Sequence, residues 1–533
     1  MIMNKSNLRA LLTPIVLALA IVLGMMINRF LPDRTQMSVS SGGYPQMGNK
    51  LDVILGMVQH SYVDTVNMME LIENSIPVIL NDLDPHTIYI PAKDMQRANE
   101  GIVGNFGGVG VQFYKYLDTV TVVKVVPGGP SEKAGVKDGD RIIRVGDSIV
   151  AGVNMDTNRI MAMMRGELGS KVDLTIVRRG EPQPIKKTIT RGSIPVKSVD
   201  VAYMINDTTG YLKTNTFGMI TYIEFMNALE TLKQAGMKKI IIDLRENEGG
   251  VLETAIKMIN EFLDADKLIL YTQGKARARM DFTSNGQGRY KDIRVDVLIS
   301  EFSASASEIF AGAIQDNDRG LIIGRRSFGK GLVQEQRMLS DGSAVRLTVA
   351  RYYTPSGRSI QKPYDQGKEK YYNDIYNRML HGEFSQKDSI TFDENLKYQT
   401  VGGRTVYGGG GIMPDVFVPA DTTGATRYLA AVTRTQFLYD YTFDFMDKHR
   451  NEMTDLKDYK AIQRYLKKFD LVNDMANYAA RRGLKRNDKE IKESYQILRT
   501  RIEAYIGRHV LDDIGFYPII GQIDNTLQEA IKQ

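Results

Sequence analysis

The segment from Val297 to Gln334 constrains this chain more than any other. In it, Ser303-Ala304-Ser305-Ala306-Ser307-Glu308-Ile309 is followed, after a short apolar stretch, by Ser327-Phe328-Gly329-Lys330-Gly331 and Gln334. Ser305 to Glu308 is an S-x-x-E capping box, and Ile309, Phe310, Ala313 and Ile314 behind it recur at helical spacing. A helix is therefore expected to open at Ser305, and the plainest role for that serine is a cap. The same position also suits chemistry. The first N–H groups of a helix have no partner within it, and together with the helix dipole they favour the negative oxygen that develops during acyl transfer. Serine needs a proton acceptor to act as a nucleophile, and a buried lysine, whose ammonium form burial disfavours, can be that acceptor. Lys330 is the candidate base. Gln334 lies four residues further on. If Gly331 to Met338 leads into a strand, the even separation puts both side chains on one face, where Gln334 can orient the amine.

The whole string from Val297 to Gln334 resembles the catalytic core of the carboxyl-terminal processing peptidases, also called tail-specific proteases. The resemblance implies that the nucleophile is the serine 25 positions before the lysine of the FGKG element, which is Ser305, with Lys330 as base and Gln334 as its partner. Lys239 to Leu244 reads as a short apolar strand ending in Asp243-Leu244-Arg245-Glu246-Asn247-Glu248-Gly249-Gly250, with a helix beginning near Leu252. A strand entering a Gly-Gly loop at a helix start offers free N–H donors. By resemblance, the N–H groups of Gly250 and Ala306 form an oxyanion hole. The family usually has proline before the glycine pair, and Glu248 stands there in this chain. Leu83-Asp84-Pro85-His86-Thr87 is also similar to the family and is read as structural.

From about Asn99 to Arg179 the pattern switches to strands and glycine turns. Asn105-Phe106-Gly107-Gly108-Val109-Gly110-Val111 precedes Val120 to Val126 and then Ala134-Gly135-Val136-Lys137-Asp138-Gly139-Asp140-Arg141-Ile142. These segments resemble a PDZ domain. That resemblance implies a loop of Phe106, Gly107, Gly108, Val109, Gly110 and Val111 that presents N–H groups to a peptide carboxylate while the adjoining strand pairs with the peptide.

Ala10 to Ile27 is an uncharged, largely apolar run of 18 residues, with Lys5 and Arg9 before it and Arg29, Asp33 and Arg34 behind it. As a helix it would span about 27 Å, close to the thickness of a bilayer core. We expect an uncleaved anchor in a bacterial inner membrane, single-pass, with the body in the periplasm. The alternative is a signal peptide and a secreted periplasmic protein. Pro32 to Gln46 reads as a tether, and apolar residues between Leu51 and Leu80 recur at the spacing of two helices. Thr422 to Gln533 carries long helical patterns with mixed charge. That region could dimerise the chain, dock an adaptor or pack on the PDZ domain, and its sequence does not choose among them.

Composition narrows the chemistry. The 533 residues contain no cysteine, which removes disulfides, zinc–thiolate sites and cysteine nucleophiles. The five histidines are scattered, and a net charge of +6 spread over so long a chain does not argue for nucleic acid. No metal or organic cofactor is implied. The expected architecture is multidomain α/β: residues 1–35 an anchor or signal segment, 36–98 a tether and helical region, and 99–191 an inserted PDZ domain. Residues 192–420 would form a crotonase-like α/β serine/lysine peptidase core and 421–533 a helical extension. The expected partners are protein or peptide substrates with accessible C-terminal tails, together with the inner membrane through residues 10–27. A homo-oligomer or an adaptor is left open. The expected activity is that of a serine endopeptidase. Two other classes compete with it: a PDZ scaffold on an inactive peptidase fold, and acyl-CoA chemistry on a crotonase-like fold.

Overall fold

The computed structural model describes residues 47–533, so the apolar run Ala10 to Ile27 and most of the tether lie outside the described residues. Among the described residues no helix is long and apolar enough to cross a membrane. Two compact units divide after Asn74. The first holds helix α1 (Met47–Ser61) and the start of α2 (Met68–Asn81), the two helices expected from the apolar spacing before Leu83.

The second unit, from Ser75 on, contains the expected PDZ region. Strands β2 (Val111–Tyr116), β3 (Thr119–Val125), β4 (Arg141–Val145), β5 (Lys171–Val177) and β6 (Ile185–Thr190) form an antiparallel sheet in that order, with helix α3 (Thr157–Met164) against it. Alternate residues point inward: Val120 and Val122, Ile142, and Leu174 and Ile176 meet Ile160 of α3 in one core. The glycine loop differs from its expected form. Asn105–Gly108 is a strand, β1, paired antiparallel with β7 (Gly192–Pro195), with Gly107 opposite Ser193. The chain entering the domain thus pairs with the chain leaving it, and only Val109 and Gly110 remain as the link into β2. Their N–H groups have no protein acceptor among the described residues. Gly110 has φ 78°, and a Cβ there would lie 3.0 Å from Ile194 and 3.2 Å from Pro130.

Beyond the PDZ region, strands and helices alternate. The strands β8 (Val199–Met204), β9 (Thr209–Thr214), β10 (Lys239–Asp243), β11 (Arg294–Ile299), β12 (Gly320–Gly324) and β15 (Val416–Phe417) form one sheet in that order, parallel except for the β8–β9 pair. A parallel sheet needs cover on both faces. Ile240 and Ile242 of β10 point into the core formed with α4 (Thr221–Gln234), α5 (Leu252–Asn260) and α6 (Ala306–Asp316). Ile241, between them, points the other way, to Tyr211, Leu298, Ile323, Leu527 and Ala530. The last two residues lie on the final helix of the chain, so the segment after residue 420 is not a separate appendage: its end completes the core. A second sheet carries β13 (Leu332–Met338) and β14 (Ala344–Tyr353), next to the strands Ile88–Ile90, Leu268–Gly274 and Arg277–Thr283. Helix α7 (Lys368–Leu380) follows β14 in the chain.

After residue 420 come the helices α8 (Arg427–Arg434), α9 (Phe437–Met453), α10 (Tyr459–Leu466), α11 (Leu471–Ala480), α12 (Asp488–Glu493), α13 (Tyr495–Leu511), α14 (Asp513–Ile520) and α15 (Asn525–Lys532). Helices α8 to α13 bury a core of their own around Leu438, Met475, Leu498 and Ile502.

Candidate active site

Three serines cluster where β11 gives way to α6, and hydrogen bonding separates them. Ser303 Oγ donates to Leu244 O at 2.8 Å, and Ser307 Oγ donates to Asn247 O at 2.8 Å. Both side chains are thereby spent on fastening this turn to the loop after β10. Ser305 sits between them at the start of α6 with φ 56°, a left-handed conformation that costs a non-glycine residue about 1–3 kcal/mol. Ser305 is thus the cap position that the S-x-x-E pattern indicates, held in a backbone geometry that capping alone does not require.

The strain is held by Glu308. Its carboxylate is fully buried and accepts four hydrogen bonds: from Ser305 N (2.9 Å), Lys330 N (2.8 Å), Gly329 N (2.7 Å) and Ser327 Oγ (2.5 Å). One side chain thus ties the start of α6 to the FGKG turn. Burial pushes its carboxyl above the usual carboxylate range, and the four donors oppose that shift. Tyr352 of β14 adds a second tie, its hydroxyl lying 3.0 Å from Lys330 O and 3.3 Å from Ser305 O.

Lys330 lies just before β13, and its Nζ donates to Gln334 Oε1 at 3.0 Å. The expected pairing is present, although simple strand alternation does not explain it: Lys330 is outside the strand, and a bulge falls between Val333 and Gln334. Burial holds the lysine pKa below that of a free amine. The nearby Arg346 adds to this, while Glu308, Asp84 and Glu248 oppose it. Glu248, exposed in the proline position of the glycine loop, is therefore close enough for Lys330 to feel its charge. No hydrogen bond joins Ser305 Oγ to Lys330 Nζ.

The Gly-Gly loop is shaped by Asn247, which is fully buried. Its Nδ2 donates to Thr214 O at 2.9 Å and its Oδ1 accepts from Gly249 N at 2.8 Å. Gly249 has φ 101°, and a Cβ there would stand 2.7 Å from both Ala304 O and Ala306 N. Only glycine lets this loop lie against the Ser305 turn. Gly250 packs on Phe217, whose O would be 2.3 Å from an added Cβ. The N–H groups of Gly250 and Ala306 have no protein acceptor among the described residues.

The structure also brings in residues that the sequence left aside. Gln334 Nε2 donates to His86 O, and His86 Nε2 lies 2.9 Å from the Tyr371 hydroxyl on α7. The Leu83 to Thr87 string, read as purely structural, is therefore the wall behind Lys330 and Gln334. Burial first, and then the Lys330 charge, lower the His86 pKa to about 4, so the ring is neutral at pH 7. Asp84 holds the string in shape by accepting from His86 N (2.8 Å) and Thr87 N (2.9 Å). Among the described residues no group of three or more histidine, aspartate or glutamate side chains is placed to hold a metal ion.

Parts of the chain are similar to known proteins. The sequence profile of peptidase family S41 matches residues 208–367, that of the PDZ domain matches 107–188, and that of a family of unknown function (DUF8443) matches 428–512. A probable CtpA-like serine protease of Staphylococcus epidermidis (strain ATCC 12228) is 33% identical over 313 residues, which cover 58% of this chain and 62% of that protein. Its counterpart in Staphylococcus aureus (strain MRSA252) is 32% identical over 314 residues, with the same coverage of 58% and 62%. The chain therefore spans less than two thirds of the length of these relatives. Among solved structures, the photosystem II D1 C-terminal processing protease is similar at 25% identity, covering 73% of this chain and 97% of that one with a TM-score of 0.36. The comparisons thus show a region, residues 208–367, similar to the peptidases of family S41, beside one, residues 107–188, similar to PDZ domains.

Proposed function

We propose that the chain is a serine endopeptidase that captures the C-terminal tails of protein substrates through its PDZ domain and cleaves them by a Ser305/Lys330 mechanism. The observation that carries this reading is the partly buried Lys330, its amine bonded to Gln334 and its backbone N–H tied through Glu308 to the turn bearing Ser305. The neutral amine takes the Ser305 hydroxyl proton as Oγ adds to the scissile carbonyl. The N–H groups of Gly250 and Ala306 then receive the oxyanion. Lys330 passes the proton to the departing amine, and water, deprotonated in the same way, releases the acyl group. The missing Ser305–Lys330 hydrogen bond is one that forms as substrate closes the site, since such bonds are often long in unliganded enzymes.

In this reading residues 99–191 serve as the tail receptor, with Phe106 to Val111 at its carboxylate end, and residues 192–420 as the peptidase core. Residues 421–533 are the helical extension, and 36–98 a tether and helical region. Residues 1–35, with the apolar run 10–27, place the body in the periplasm of a bacterium, membrane-anchored or released by signal cleavage. Cell fractionation tests this, and a body found in the cytoplasm would reject it.

The central experiment follows cleavage of an unfolded protein with a nonpolar C-terminus by the full chain. Ser305→Ala, Lys330→Ala and Lys330→Arg should each lower kcat/KM by at least ~100-fold, the arginine because it cannot shed its proton. In the parent, kcat/KM should rise with pH as Lys330 loses its proton, with the midpoint below a free lysine's 10.5. Parent-like cleavage by Lys330→Ala would remove the serine/lysine assignment. Amidating the substrate terminus should raise KM, and equal KM values for the amidated and free forms would remove tail capture.

A further inference from the structure

The PDZ region is held from two sides: its entering segment by the peptidase core, where Met219 N donates to Ile102 O at 2.8 Å, and the outer face of its sheet by the C-terminal helices. Gln112, Tyr114 and Tyr116 alternate along β2 with the PDZ-core residues Val111 and Phe113, so the two tyrosines leave the opposite face of the sheet. That face is covered. The Tyr114 hydroxyl donates to Asp440 Oδ1 of α9 at 2.6 Å, and its ring meets Tyr439 edge-on at 4.5 Å. Tyr116 packs on Phe443 at 5.2 Å, with its hydroxyl 3.3 Å from that of Tyr478 on α11. Lys124 of β3 pairs with Asp512 at 3.1 Å, and Arg141 of β4 with Asp447 at 3.7 Å.

The other end of the same helical unit is built into the peptidase core. Helices α13 and α14 cross so closely that a Cβ on Gly507 would stand 2.2 Å from Gly515 O. From there the Tyr517 hydroxyl reaches Asp200 at 3.1 Å, and Leu527 and Ala530 cover the central sheet. Asp524 takes both terminal nitrogens of Arg245, at 2.9 and 2.6 Å, where the Gly-Gly loop begins. A packed path therefore runs from the back of β2 through α9, α13 and α14 to the sheet that carries Ser305. The chain's own connections between the two domains are β1 and β7, a single two-stranded ribbon.

We propose that the C-terminal helical unit holds the PDZ domain at a fixed reach from Ser305, so that the enzyme cuts at a set distance from the substrate's C-terminus. Tyr114 and Tyr116 are the residues that determine this specificity. The inference rests on the proposed tail capture and cleavage. A receptor swinging on a ribbon would offer its bound chain to the nucleophile over a broad range of positions. A receptor clamped at one position gives one span of chain a high effective concentration at the site and starves the others.

The test maps cleavage positions by mass spectrometry on one unfolded substrate with a nonpolar tail, and on versions with five or ten residues inserted just before that tail. With the full-length parent, the cuts should keep their distance from the terminus and so move along the sequence by the inserted length. Cuts that stay at the same sequence positions would overturn the proposal while leaving the peptidase reading intact, whereas no Ser305-dependent cutting at all would overturn that reading itself. The double variant Tyr114→Ala/Tyr116→Ala should spread the cuts over at least twice the window and leave turnover of a short peptide without a tail within about twofold of the parent. An unchanged window in a variant whose folding is verified by thermal melting would reject the clamp. A charge swap offers a milder route if that variant fails to fold. Lys124→Asp should widen the window and Lys124→Asp/Asp512→Lys should narrow it again; identical windows in the parent and both swap variants would likewise reject the clamp.

Discussion

Glu308 shows how much one buried side chain can decide. Its two oxygens accept three backbone N–H groups and one hydroxyl from both halves of the site, an arrangement open to a carboxylate and closed to an amide. Glu308→Gln keeps the size but turns an NH2 group toward donors. The expected result is a kcat lower by roughly 10- to 100-fold and a stability loss of about 1–3 kcal/mol, the cost of leaving buried donors unsatisfied. Steady-state kinetics and a urea titration measure the two, and parent values in both would show that the hub is dispensable. The same reasoning explains why Ser303 and Ser307 are poor candidates for the nucleophile: each hydroxyl is already committed to a carbonyl of the neighbouring loop.

Among the elements, the loop between β10 and α5 is the one whose shape the chemistry needs most. It approaches the Ser305 turn so closely that Gly249 has no room for a methyl group, and its φ of 101° disfavours one in any case. Gly249→Ala should push the Ala306 N–H out of line and lower kcat by about 100-fold, the usual cost of losing an oxyanion donor. Binding of a tail peptide to the PDZ domain, measured by fluorescence anisotropy, should stay as in the parent. A parallel loss of tail binding would mean that the substitution disturbs more than this loop. The loop's course is held by Asn247, whose side chain bonds to Thr214 O and Gly249 N.

On the scale of the whole molecule, the three bodies of the second unit depend on one another because the central sheet has helices α4 to α6 on one face and needs the end of the chain for the other. Asp524 concentrates that dependence. It accepts from Leu527 N at 3.0 Å as the cap of α15 and takes Arg245 with both oxygens. Asp524→Ala removes a helix cap and one of the two carboxylates around a mostly buried guanidinium, the other being Asp243. A loss of about 2 kcal/mol is expected in urea unfolding, with the PDZ and peptidase signals melting closer to the parent's order than in a chain cut before α14. A change below about 0.5 kcal/mol would show that the end of the chain is not needed to close the core.

What the sequence determined by itself is local. Ser305, Lys330 and Gln334 could be named as candidates because they lie within one short stretch, from a capping box to a glycine turn, that resembles the core of a peptidase family. The Gly-Gly loop is legible because tight backbone approach demands glycine, and the PDZ region because its Ala134 to Ile142 segment resembles that domain. Tertiary structure alone decided what comes from far away. The backbone of His86 meets Gln334 across 248 positions and Tyr114 meets Asp440 across 326. A tyrosine on the outer face of a strand reads the same whether it will face water or a helix, and a capping glutamate reads the same whether it serves one helix or two segments. Local preference sets which backbone shapes the chain can take, whereas partner choice over such spans is set by which apolar faces remain to be covered once those shapes exist. In this chain, the uncovered face of the central sheet drew the final helix to the core, and the exposed tyrosines of β2 drew helix α9 to the PDZ domain.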